Sequence, residues 1–232
     1  MTEMNDGIED TAATNPWQER DDIGFLRAFV RTVTVLIRDT RRVFEGTKPE
    51  LGFGGPLLFG VLAGSLGQIL ESSVYFALRP LVSLLLSMDL PLVSPSALGG
   101  LGLTALPEWA ISFLGCQVAI LAIPLVVVVV GLFLLALAST VHMLLWLVGG
   151  LRSSEAGFKG TFATTCYATC ASLAQVVPLL GDLIFVVVAT AIQVVGLQVI
   201  HRTTFKRALT AAIGPLFLLA GFIAAVVFAS AY

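Results

Sequence analysis

Gly157-Phe-Lys-Gly-Thr-Phe-Ala-Thr-Thr-Cys-Tyr-Ala-Thr-Cys-Ala-Ser-Leu-Ala-Gln-Val-Val-Pro-Leu-Leu-Gly-Asp182 is where the fold is decided. Gly160, Thr164, Ala168 and Ser172 recur every fourth residue, which predicts a helix with a stripe of small side chains suited to close helix contact. Pro178-Leu-Leu-Gly181-Asp182 ends that helix in a tight turn. Leu183 to Ile200 is then nearly all Val, Ile, Ala and Leu, with Gln193 and Gln198 as polar points expected to face other helices. His201, Arg202, Lys206 and Arg207 close the stretch with a basic connection. The pattern is that of a hairpin of two membrane helices.

Composition agrees. The chain has 232 residues, 57% hydrophobic and 12% charged, against about 25% charged in a soluble domain. Residues 1–50 hold 10 of the 15 acids and 7 of the 13 bases, so a polar head precedes a membrane domain. An acidic, polar start in place of a basic one with an early apolar run argues against a secretory signal peptide, and the amino terminus is expected in the cytoplasm.

Residues 1–22 are acidic and Asn/Thr-rich and are expected to form a disordered tail. Residues 23–50 are expected to form an interfacial amphipathic helix and a linker. From Ile23 to Phe44 apolar residues take one helical face, while Arg27, Arg31, Arg38 and Arg42 gather on another. Such a helix either lies on the inner leaflet with its arginines near anionic lipid headgroups or packs against the protein's own cytoplasmic face.

Residues 51–232 form the membrane domain. Its first span is expected from Leu57 to Leu78, with Gly60, Gly64 and Gly67 as a close-packing face. Glu71 falls about 21 Å into that span by helical rise, nearer its outer end, and is a candidate polar intramembrane residue. Arg79-Pro80 should open a broken segment and then a Pro/Gly-rich loop through Gly102. Trp109 to Gly150 reads as one long span kinked at Pro124, with His142 as its only ionisable residue. The hairpin supplies two spans, and Ala208 to Ala231 the last. The fold class is therefore all-α, a polytopic membrane protein with five transmembrane helices. With the amino terminus inside, 12 Lys/Arg fall on the inner side and only Arg79 outside, a strong positive-inside bias. The carboxyl terminus is then extracytoplasmic.

No phosphate-binding loop, His-Glu-x-x-His or Gly-x-Ser-x-Gly motif occurs, so no enzyme activity, cofactor or metal is expected. Cys116, Cys166 and Cys170 read as compact apolar fillers. Two readings of function follow. One is a membrane organiser whose basic helix meets anionic lipid and whose small-residue faces support a homo-oligomer or a membrane protein partner, with no nucleic acid partner. The other is a small transporter or lipid-moving protein in which Glu71, His142 and Gln193 line a polar path.

Several short features occur in order: His142 with Gly149-Gly150, Phe158-Lys-Gly-Thr161, Tyr167-Ala168, Pro178-Leu-Leu-Gly181, Gly196-Leu197 before His201, and Lys206-Arg-Ala208. Together with Val43-Phe44 and Gly55-Pro56-Leu57 they span roughly 190 residues, and in this the chain resembles the Yip-domain (Ypt/Rab-interacting-protein-like) family, in its bacterial branch. The resemblance implies a five-span bundle with a cytoplasmic amino terminus, in a bacterial inner membrane. Eukaryotic members act in vesicle traffic with Rab GTPases, using a long Pro/Gln/Tyr-rich cytoplasmic domain unlike residues 1–50 here.

Overall fold

A computed structural model describes residues 15–48, 52–86, 108–152, 154–178 and 180–230. The described residues are helical, without strands. The acidic tail through residue 14 and the loop expected around Asp89–Gly102 lie outside them.

The amino-terminal stretch forms three pieces where one helix was expected: α1 (Arg20–Ile23), α2 (Phe25–Arg38) and α3 (Thr40–Glu45). Two residues make the breaks. Gly24 takes φ +89°, a conformation that glycine enters without penalty. Asp39 leaves the helix with φ −148° and accepts a hydrogen bond from the Arg42 N–H at 3.2 Å, capping α3.

The tail expected to stay disordered through residue 22 is packed from Asn15 onward. Trp17 is fully buried against Phe25, Phe29 and Phe59, and its Nε1 donates to the Gly55 carbonyl at 2.7 Å. Asn15 supports it, accepting from the Trp17 N–H and donating to Thr47 Oγ1.

Four helices of the described chain are long and apolar enough to cross a membrane, within Gly54–Val74, Val127–Leu147, Gly181–His201 and Phe205–Ala229. The first belongs to α4 (Gly54–Leu86), which runs through Arg79-Pro80 where the sequence predicted a break. Proline inside a long apolar helix is tolerated where neighbouring groups take up the freed carbonyl; Pro215 lies likewise within the last helix. The second belongs to α5 (Glu108–Leu147), one helix of 40 residues containing Pro124, as the apolar tract predicted.

The hairpin's first arm departs from a plain span. It is α6 (Gly157–Ala168) continued by a 3₁₀ segment (Thr169–Val176). Every residue from Gly160 to Ala168 is buried, because α4, α5 and the second arm, α7 (Gly181–His201), surround it. The turn between the arms forms where predicted. Gly181 N–H donates to Val177 O at 2.8 Å, and a Cβ on Gly181 would sit 2.6 Å from Gln175 Cα, so only glycine fits. The last helix, α8 (Phe205–Ser230), packs through Ala208, Ala211 and Ala212 on Val141, Leu145, Val194 and Leu197.

Candidate functional site

The small-residue stripe on α6 makes close contacts, but with two neighbours in turn. A Cβ on Gly160 would lie 2.5 Å from Ile200 Cγ2 of α7, and one on Gly196 of α7 would lie 2.5 Å from Thr164 Cγ2. Ala168 is buried in the core with Phe44 and Phe59. Ser172, in the 3₁₀ segment, turns to α4, where its Oγ donates to Ala63 O at 2.8 Å. An every-fourth stripe drifts about 40° per step around an α-helix, so no single partner can cover it.

On α4 the three glycines are not equivalent. A Cβ on Gly67 would meet Ser172 Oγ at 2.5 Å, and one on Gly60 would meet Cys166 Cβ at 3.1 Å, so both hold the hairpin arm close. Gly64 has only Val130 at 3.7 Å, ordinary van der Waals contact.

The candidate polar residues do not converge on one cavity. Glu71 accepts from Gln68 Nε2 at 3.3 Å. Gln193 is buried and donates to Thr165 Oγ1 at 3.2 Å. His142 Nδ1 bonds Thr161 Oγ1 at 2.8 Å, and the same hydroxyl bonds His201 Nε2 at 2.9 Å. His201 Nδ1 in turn meets Ser154 Oγ at 2.6 Å. This Ser154–His201–Thr161–His142 chain ties three helices and the preceding loop together. It closes in either direction: Ser154 donates to His201, His201 to Thr161 and Thr161 to His142, or all three bonds reverse. Each imidazole keeps one N–H either way. Such a chain can fix the helix ends, and it has the form of a hydrogen-bonded relay.

His201 and Trp17 are the residues the sequence reading missed. His201 was grouped with the basic connection beside Arg202, and its complete burial has no local signature. For Trp17 a signal existed: one large aromatic, following Asn-Pro, in a tail otherwise free of them.

Of the four predicted surface arginines, Arg27, Arg31 and Arg38 are exposed on α2, and Arg42 is partly buried on α3. Arg41 pairs with Glu45 at 2.7 Å, and that hydrogen bond holds its guanidinium above its ordinary range. At about 100° per residue, α2 has three sectors. Ala28, Phe29, Thr32 and Leu36 are buried against the protein. Next to them run Leu26, Val30 and Ile37, which are 73%, 55% and 68% exposed. Arg27, Arg31 and Arg38 form the third sector, beside that apolar strip.

Comparisons with family models, with curated proteins and with solved structures return no match for this chain.

Proposed function

We propose that this is a non-enzymatic membrane organiser of the Yip-domain type, whose α2 is an amphipathic interfacial helix on an anionic cytoplasmic leaflet. The observation that carries the reading is the exposed strip of Leu26, Val30 and Ile37 beside Arg27, Arg31 and Arg38, on a helix whose remaining face is occupied by the protein. Water disfavours that strip, whereas a leaflet takes the aliphatic side chains among its acyl chains and the guanidinium groups among its phosphates. Both placements weighed for this helix then hold together, one face on the protein and another on lipid.

The topology proposed with it has five spans, the α6–3₁₀ arm being the fifth beside the four long helices, in a bacterial inner membrane. The 12-to-1 distribution of Lys/Arg supports a cytoplasmic amino terminus and an extracytoplasmic carboxyl terminus. The small-residue contacts of Gly60, Gly67 and Gly160 are used within the chain, so a homo-oligomer or partner protein would dock elsewhere. The transporter reading lacks a shared path, since Glu71, His142 and Gln193 each bind a different neighbour.

The test uses the full chain in nanodiscs with an environment-sensitive fluorophore on Ile37→Cys. In anionic bilayers its emission should shift to the blue and be quenched by a lipid-borne nitroxide, while the same label on Thr34→Cys reads water. Replacing Arg27, Arg31 and Arg38 by Gln should weaken insertion by about 1 kcal/mol each. Water-like emission at Ile37 in every bilayer would sink the reading.

A further inference from the structure

A groove of about 600 Å³ runs between α4 and α5, with the start of α6 at one end. Leu57, Leu58 and Val61 form one wall, Val128, Leu132 and Leu135 the other, and Phe53, Phe158 and Phe162 close one end. At that end stands the exposed Lys159, its Nζ 5.9 Å from the centre of the Phe53 ring. Lys159 belongs to no ion pair among the described residues. We infer that this groove holds one acyl chain of an anionic phospholipid, with Lys159 on the headgroup.

The lining decides the chemistry. Among the described residues no charged or hydrogen-bonding side chain lines the groove, so a ligand lying against them gains only from apolar contact. Its walls belong to helices of membrane-spanning length, whose surroundings supply acyl chains at high concentration. Shape then separates lipid from protein. An α-helix about 10 Å across fills roughly 420 Å³ per turn, so the groove would take little more than one turn of a partner helix. A flexible hydrocarbon chain occupies the same space along its length. Charge selects the headgroup, because the Lys159 ammonium at the mouth, which pairs with no described carboxylate, favours a phosphate whose lipid carries net negative charge. The inference does not depend on α2, which contributes nothing to the groove.

The experiment uses the full chain in phosphatidylcholine nanodiscs containing a trace of a lipid with a photoreactive acyl chain, either phosphatidylglycerol or phosphatidylcholine. Labelled peptides are located by mass spectrometry. The anionic probe should mark Leu58, Val128 and Leu132 about fivefold more than the zwitterionic probe, the ratio given by ~1 kcal/mol from one lysine at the surface. Lys159→Gln should bring that ratio to one without abolishing labelling. Gly131→Leu should fill the groove and remove its labelling, while α8 stays labelled around Phe222. A Cβ at Gly131 meets only Leu57 Cδ1, at 3.8 Å, so this variant is expected to fold; Gly131→Ala, which barely fills the groove, should keep its labelling. Equal labelling by both probes would overturn the anionic preference. Groove labelling that survives Gly131→Leu would overturn acyl-chain occupancy, and groove residues left unlabelled in the parent chain would overturn the site.

Discussion

α6 and α8 invert the arrangement of a soluble protein. α6 carries Thr161, Thr164 and Thr165 and is buried through its whole central length. The carboxyl-terminal half of α8 carries Phe217, Phe222 and Phe228, which are 74%, 67% and 66% exposed. If apolar character alone decided burial, the two would change places. In a bilayer the lipid already accepts Phe and Leu, so what draws a helix inward is close approach and hydrogen bonding. Thr161 joins two histidines and Thr165 meets Gln193, whereas α8 has little to offer beyond its alanines near Ala208.

The comparison breaks most visibly at its glycines. Gly160→Ile places a branched side chain where even a Cβ lies 2.5 Å from Ile200, and should cost about 3 kcal/mol or more. Detergent-extracted protein should then elute as aggregate. Gly221→Ile on α8, where nothing lies within 4 Å, should elute like the parent chain. Gly64→Ile should fall between them and remain folded, since Val130 leaves it ordinary contact distance.

Hydroxyl deletions sharpen the same contrast at smaller scale. Thr161→Val keeps shape but takes from His142 and His201 the oxygen they share, a loss of about 1–3 kcal/mol for buried groups left unpaired. Its thermal unfolding should come at visibly lower temperature. Thr210→Val on α8 removes only a bond to the Lys206 carbonyl on an exposed face and should leave the melting curve where it was. The smallest effect belongs to Glu71→Gln, whose contact with Gln68 at 3.3 Å tolerates an amide. It should alter stability by less than about 0.5 kcal/mol, and a large loss would mean that Glu71 serves something its neighbours do not reveal.

The long helices were legible because hydrophobic length is written locally: the apolar run behind α5 and the Pro178–Gly181 turn need no knowledge of neighbours. The amino-terminal region was legible only in part. Ile23 to Phe44 was read as one helix, and neither the break at Gly24 nor Asp39, whose side chain caps a new helix, was anticipated. One apolar face was therefore expected where Phe29 and Leu36 turn to the protein and Leu26 and Ile37 away from it. The histidine chain was illegible for another reason. Ser154, Thr161 and His201 are separated by up to 47 residues, and only the fold brings them together.

The 3₁₀ winding of Thr169–Val176 has a consequence in length and register. Residues three apart eclipse one another in that helix, whereas in an α-helix they fan out by about 60°. Thr169 and Ser172 therefore reach the same neighbour, meeting the carbonyls of Gly60 and Ala63, which are also three apart. The rise is also greater, about 2.0 Å per residue against 1.5 Å. The eight residues of the segment thus add about 4 Å over α-helical winding, and with the twelve residues of α6 the arm measures about 34 Å. Twenty α-helical residues would measure about 30 Å, so the tighter winding is what lengthens this arm.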